Sequence, residues 1–238
     1  VLYGEAGRNG VIVITTKGAS VKANDAFKVD LNQSVYVNMV AQLPDYQNTY
    51  GQGGDNVANV EFAGNWGNAF SDDLMVAHHL DQAQFATSFP EYQGLLVEYQ
   101  PYEDNVREFF RNGWSSNTSV NLSSGFNNGS LSFNAGYTDE DGYIPENNLK
   151  RLNTGFSVNM KKDKLNFSGN INFANTQYAT PPVAGRGAFN AVTIFERLLY
   201  IPRNLDLTNL RFEEPIDHST VYYRTDQENP YWLVKYSR

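Results

Sequence analysis

Residues 165–174 read LNFSGNINFA, in which apolar or small residues alternate with uncharged polar ones. Successive side chains of a β-strand point to opposite faces, so such a strand has one apolar face and one polar face. The apolar face consists of Leu165, Phe167, Gly169, Ile171 and Phe173. The polar face carries Asn and Ser and no charge, which is typical of the lumen side of a membrane barrel. The solvent side of a soluble β-sandwich usually carries more Lys, Glu and Thr.

Four other segments repeat this alternation, and the pattern therefore predicts an all-β fold. The five predicted strands lie near residues 26–39, 114–124, 130–138, 151–161 and 165–175. The first strand has one exception on its apolar face, Gln33.

The connections between these segments alternate between short and long. Residues 126–129 (FNNG) predict a tight hairpin, and residues 162–164 (KDK) predict another. The predicted long loops are residues 40–113, 139–150 and 176–228. Short turns alternating with long loops are the rhythm of an outer-membrane barrel. Within the loops, residues 104–112 and 191–200 predict short helices, and a third is expected within 72–86.

Composition excludes several classes of function. The chain has 238 residues and a net charge of -8, so it lacks the basic surface that nucleic acid requires. It contains no cysteine, which excludes disulfides, cysteine zinc sites and thiol nucleophiles. No apolar run reaches the roughly 18 residues of a membrane-spanning helix. The opening at Val1, without an initiator methionine, and the end at Arg238 suggest a piece of a longer protein.

The motifs that could carry catalysis or bind a metal are all weak. Residues 139–142 (DEDG) match only the start of a calcium loop, and a surface turn is favoured. The adjacent pair His78 and His79 cannot form an i, i+4 zinc site, so a polar loop face is expected. His218 stands alone, and residues 51–54 (GQGG) lack the frame of a phosphate-binding loop. We therefore predict no enzyme activity, no metal site and no cofactor.

Aromatic residues are concentrated in the first long loop. They are Tyr46, Tyr50, Trp66, Tyr92, Tyr99 and Tyr102. Their flat faces and polar tips suit contact with sugars or peptides, as substrate or as partner. Packing of the loop against its neighbours explains them equally well, and the sequence leaves both interpretations open.

The first residues of the chain carry a long motif. Residues 2–17 read LYGEAGRNGVIVITTK. This closely resembles the end of the plug domain in SusC/RagA-like TonB-dependent outer-membrane transporters. The residues that match the family pattern are Tyr3, Gly4, Asn9, Gly10, Ile14, Thr15 and Thr16. Further matches follow in family order at residues 43–53, 66–67, 104–110, 142–145, 150–151 and 229–232.

The resemblance implies a division of the chain. Residues 1–18 would end the plug, 19–25 would be a linker, and 26–238 would form the first part of a transmembrane antiparallel barrel. Proteins of this family close a barrel of roughly 22 strands with a plug. Only a partial barrel is therefore expected, with long extracellular loops that carry the short helices.

The resemblance also implies a function and its partners. Such proteins import large nutrients, oligosaccharides or peptides, across the outer membrane of Gram-negative bacteria. A SusD-like surface lipoprotein caps the barrel, and the TonB complex engages a region upstream of the residues present here. Outer-membrane lipid would surround the wall. The alternative hypothesis is a soluble β-sandwich that binds carbohydrate through its loop aromatics, with the apolar strand faces buried in a core.

Overall fold

The computed structural model describes Ile12 and residues 27–71, 73–179, 183–184 and 192–236. The fold of these residues is mainly β, as the alternating segments predict. The plug-like motif and the linker lie outside the described residues except for Ile12. The positions that match the family pattern therefore lie outside the described residues. They are Tyr3, Gly4, Asn9, Gly10, Ile14, Thr15 and Thr16.

Five long strands form an antiparallel sheet in which each strand pairs with the next along the chain. They are β1 (Lys28–Asn38), β2 (Gly113–Phe126), β3 (Gly129–Asp141), β4 (Asn148–Lys162) and β5 (Leu165–Ala179). Each overlaps a segment in which the alternation predicts a strand. Two-residue connections join β2 to β3 and β4 to β5, and Asp163 in the second adopts a positive φ of 54°. The described strands form an open sheet and do not close into a barrel.

The prediction of a long loop at residues 139–150 is wrong. β3 continues to Asp141 and β4 begins at Asn148, so the connection has only residues 142–147. The acidic run does not end the strand, and two of its carboxylates lie near cations of neighbouring segments. Lys150 lies 3.9 Å from Asp139, and Arg111 lies 3.5 Å from Asp141. The simple alternation of short and long connections therefore does not hold at this point.

The residues between the long strands contain short elements. Helix α1 (Asn105–Phe109) and helix α2 (Ile194–Leu199) fall within predicted helices. Thr193 caps α2, since its side chain accepts a hydrogen bond from the Glu196 amide. Helix α3 (Pro230–Tyr236) was not expected from the sequence. The short strands are Gly53–Gly54 with Val57–Ala58, Met75–Ala77 with Leu96–Glu98, and Val183–Ala184 with Val192–Thr193.

The prediction of a helix within residues 72–86 is also wrong. This stretch contains the strand Met75–Ala77 and the single 3-10 turn Ala83–Phe85, and a second 3-10 turn follows at Pro90–Tyr92. Met75–Ala77 pairs with Leu96–Glu98, so its backbone hydrogen bonds go to another segment rather than along a helix. No helix in the described part of the chain is long and apolar enough to cross a membrane.

The chain divides into two compact units. Among the described residues, the first comprises Ile12 and residues 27–36, 116–139 and 149–177, and the second, here called the loop unit, comprises residues 37–71, 73–115, 140–148, 178–179, 183–184 and 192–236. All of the buried hydrophobic residues in the described chain belong to the loop unit. Its core includes Leu80, Val106, Phe109, Ile144, Leu198, Leu205, Val221 and Leu233. The long strands contribute no large buried hydrophobic side chain.

Candidate functional site

The apolar face of the sheet is exposed. Along β1 and its flanking residues, the exposed side chains are Phe27, Val29, Leu31, Val35, Val37 and Met39. On β2 to β4 they include Trp114, Leu131, Phe133, Tyr137, Leu152, Phe156 and Met160. On β5 they are Leu165, Phe167, Ile171 and Phe173, with 76, 61, 73 and 55% of their surface accessible. These residues are the ones that the alternation assigns to a single face.

The buried positions of the sheet are small or polar instead. Ser115 and Ser130 are only 2 and 3% exposed, and Gly155 is also buried. All three lie on the Asn/Ser face. Asn38 donates a hydrogen bond to the Ser115 hydroxyl at 2.8 Å. On β2 to β4, burial of small polar residues beside exposure of large apolar ones is the reverse of the pattern in a water-soluble protein, whereas both faces of β1 and β5 are exposed.

Gly155 leaves room for two asparagine side chains on the polar face. A Cβ atom at position 155 would lie 2.6 Å from Nδ2 of Asn134 and 2.8 Å from Oδ1 of Asn172. Real Cβ atoms do not approach other atoms this closely, so any larger residue must displace both amides. Glycine on β4 therefore allows Asn134 on β3 and Asn172 on β5 to approach each other above it.

We expect the substitution Gly155→Val to destabilise the sheet by no more than about 1 kcal/mol, because the two displaced amides are the ends of flexible asparagine side chains that can rotate away. The matched control is Gly169→Val on β5, where the nearest neighbour of a new Cβ lies at an ordinary 3.6 Å. Thermal unfolding of the full-length protein would measure both. Equal effects of the two substitutions would contradict the role assigned to Gly155.

Arg203 connects several segments of the loop unit. The side chain is 2% exposed, and its Nη2 and Nε donate to Oδ1 of Asn48 at 2.6 and 3.1 Å. Nη2 also lies 3.2 Å from the Glu103 carbonyl and 3.4 Å from the Tyr102 carbonyl. The guanidinium stacks 4.9 Å from the centre of the Tyr46 ring. Burial lowers the pKa of Arg203, and no carboxylate forms a salt bridge with it among the described residues.

A second cluster of buried polar side chains surrounds Gln52. Its backbone carbonyl accepts a hydrogen bond from the Tyr99 hydroxyl at 2.8 Å, and its amide donates to Oδ1 of Asn204 at 2.7 Å. The Gln52 side-chain oxygen lies 2.9 Å from Nε2 of His79. The expectation of a polar loop face at His78 and His79 is thus wrong for His79, which is 3% exposed. His78 stacks on Tyr92 with the ring centres 4.3 Å apart.

His79 makes the loop unit sensitive to acid. Burial lowers the pKa of His79 to about 3, and repulsion from His78 adds to the effect. In the unfolded chain the ordinary pKa is 6.5, so between these values the unfolded state binds a proton that the folded state does not. The stability that neutral His79 provides is complete above pH 6.5 and is lost as the pH falls towards 3.

We expect stability to fall by about 1.4 kcal/mol per pH unit across this window from His79 alone. Urea unfolding of the full-length protein at several pH values, followed by tryptophan fluorescence, measures the slope. The variant His79→Gln should show a shallower slope, whereas the exposed-site control Arg211→Met, which removes no group that titrates in this window, should keep the original one. A His79→Gln slope equal to that of the unmodified protein would rule out this explanation.

The structure separates the six loop aromatics. Tyr99 is 1% exposed, and burial raises its pKa to about 12, so the structure assigns it to the interior and not to ligand contact. Tyr46 and Tyr92 pack against the hydrophobic core, and Tyr102 is half-buried. Trp66 is 65% exposed, and its ring centre lies 5.7 Å from that of Tyr50. Of the six, Trp66 and Tyr50 thus form an aromatic pair with one freely accessible ring.

The other candidate groups take part in local networks. Among the described residues, no cluster of three or more His, Asp or Glu side chains could hold a metal ion, and Asp139 and Asp141 lie near Lys150 and Arg111. His218 lies 2.5 Å from Oε1 of Glu213. A hydrogen bond from Lys235 is the largest cause that lowers the pKa of Glu213 to about 2, with another from Tyr236.

Neither a scan against protein-family models nor a search of curated proteins finds a match for this chain. Two features of the chain bear on its class: the exposed apolar face of the sheet and the motifs along the sequence.

Proposed function

We propose that this chain is part of a SusC/RagA-like TonB-dependent transporter and that its five-stranded sheet forms part of the wall of an outer-membrane barrel. The observation that carries the proposal is the exposure of the apolar strand faces. An apolar surface of this extent is unfavourable in water, and soluble monomers rarely display one. Lipid tails remove that penalty, so a membrane is the environment in which this face is stable.

The lengths of the strands support the same proposal. A tilted strand needs about 9–11 residues to cross the hydrocarbon core of a bilayer. β1 has 11 residues, and β2 to β5 have 14, 13, 15 and 15. Every strand is therefore long enough to cross. The hydrogen-bonded ladder satisfies backbone groups that would be costly to expose to lipid.

The polar face of the sheet suits the inside of a transport barrel. Its asparagine and serine side chains offer uncharged donors and acceptors, which suit a water-filled interior. In the transporter this face would line the path of a large nutrient, an oligosaccharide or a peptide. The resemblance at residues 2–17 supports the family assignment. It also supplies the partners: a SusD-like lipoprotein above the barrel and the TonB complex below it. The chain itself carries out no chemical reaction.

The soluble β-sandwich alternative requires the apolar faces to pack into a core. In the described chain these side chains are exposed, and the described strands of the sheet have no second sheet packed against this face. This observation favours the transporter. Trp66 and Tyr50 remain compatible with carbohydrate contact under either proposal, because an aromatic ring can stack on a sugar in both settings.

Fractionation of cells that express the full-length parent protein tests the proposal. We expect the protein in the outer-membrane fraction, released by detergent but not by high salt or carbonate. Depleting TonB should abolish uptake of its nutrient without removing the protein from the membrane. Recovery of the parent protein as a water-soluble monomer would sink the transporter proposal.

A further inference from the structure

The loop unit contains an apolar cavity between α1, α2 and the segment that follows β1. Its volume is about 390 Å³, within the range of small-molecule pockets. The walls include Leu43, Tyr46, Phe110, Phe195, Glu196 and Leu199. Phe195 and Leu199 are 48 and 47% exposed, so the cavity is accessible from solvent. The cavity lies entirely within the loop unit.

One charged group lines this cavity. Glu196 is half-buried in the first turn of α2, and its carboxylate forms no hydrogen bond or ion pair with the described part of the chain. The nearby cations are already engaged. Arg197 binds Glu228 with an N–O distance of 2.6 Å, and Arg203 binds Asn48. The charge of the cavity is therefore negative and lacks a partner among these residues.

The aromatic side chains of the wall already have partners within the loop unit. The rings of Phe110 and Phe195 stack with their centres 5.9 Å apart and their planes at 28°. The Tyr46 hydroxyl donates to the Leu198 carbonyl at 3.4 Å, and its ring already contacts Arg203. The Tyr46 ring therefore adds apolar surface but little attraction for a second cation. The carboxylate of Glu196 is the group that selects the charge of a ligand.

We propose that this cavity binds an amphipathic organic cation: an apolar body seated against Leu43, Phe195 and Leu199, with an amine or amidine group paired to Glu196. The apolar walls accept the body by removing it from water. A charge-assisted hydrogen bond to a carboxylate is stronger than one to a neutral acceptor, and the partly dry site reduces screening. The site does not include the apolar face of the sheet, because none of its residues lies on the long strands, although its test in nanodiscs rests on the proposed function.

A series of three isosteric probes tests the charge requirement. Fluorinated benzamidine, benzamide and benzoate share one ring and differ in charge, and fluorine NMR of each with the purified full-length protein in lipid nanodiscs reports binding. We expect benzamidine to bind tightest and benzoate weakest. The variant Glu196→Gln should weaken benzamidine by about fivefold or more while leaving benzamide unchanged. Empty nanodiscs correct for partition into lipid.

The control variant is Glu108→Gln, which removes a carboxylate from α1 outside the cavity lining. It should leave the affinity for benzamidine within twofold of the unmodified protein. Amide exchange at Leu198 checks that both variants keep α2 folded. Three results would overturn the proposal: equal binding of benzamide and benzamidine, no saturable binding of either, or equal losses from the two variants.

Discussion

Replacing Ile171 by Arg should reduce the amount of folded protein in the outer membrane severalfold. Ile171 is 73% exposed on the apolar face, near the middle of β5. A charged residue on the lipid face costs about 2–4 kcal/mol at the middle of the bilayer. In the proposed barrel, hydrocarbon would surround Ile171, and a guanidinium at this position would have no partner within reach in the lipid.

The matched control is Asn170→Arg, one residue away on the polar face of the same strand. Its side chain points to the opposite side of the sheet, so the new charge would meet water and not lipid. We expect near-normal amounts of this variant, measured by quantitative immunoblotting of outer membranes and by heat-dependent mobility on gels. Equal loss of both variants would show that the two faces do not differ in environment.

Replacing Arg203 by Met should destabilise the loop unit by about 3 kcal/mol. The change leaves the Asn48 side chain and the carbonyls of Tyr102 and Glu103 without their donor. Removing a buried guanidinium also relieves its desolvation penalty, so the two terms oppose each other. The loss outweighs the relief, because several segments are fixed by this one side chain and an unbranched apolar chain cannot replace a planar fork of donors.

Hydrogen exchange of the full-length protein measures this effect at the Tyr102 amide, which donates to the Arg203 carbonyl at 2.8 Å. A loss of about 3 kcal/mol accelerates exchange through local opening by roughly 100-fold. Arg203→Lys should show an intermediate effect, since it keeps the charge without the fork. The surface control Arg211→Met should change exchange little. Unchanged protection in Arg203→Met would contradict the role given to this residue.

The sheet could be predicted from the sequence because its signal is local. Residues such as Phe167 and Asn166 differ in character at a spacing of one, and a strand converts this spacing directly into two faces. The short turns at Asn127 and Asp163 carry local signals of the same kind. The exception is the connection at residues 142–147, because both strands continue past the point at which the alternation stops, and the acidic residues there lie near Arg111 and Lys150.

The interior of the loop unit could not be predicted, because its contacts are distant in sequence. Gln52 and Asn204 are 152 residues apart, and Asn105 hydrogen-bonds to residues 100 and 102 positions away. Nothing near these polar residues distinguishes them from surface asparagine and glutamine. His79 illustrates the same difficulty, because its burial depends on Gln52 and not on its neighbour His78. Tyr99 carries the same aromatic signal as Trp66, yet one is buried and the other exposed.

The most direct test of the proposal that the apolar face of the sheet contacts lipid is a cysteine scan along β5 in intact outer membranes. The chain has no cysteine, so each introduced thiol reports alone once any cysteine elsewhere in the full-length protein is replaced. Each position from 165 to 174 would receive cysteine and then a water-soluble maleimide. We predict labelling at Asn166, Ser168, Asn170 and Asn172, and none at Phe167, Ile171 and Phe173 until detergent is added. Labelling of the second set in intact membranes, or no alternation at all, would contradict the account.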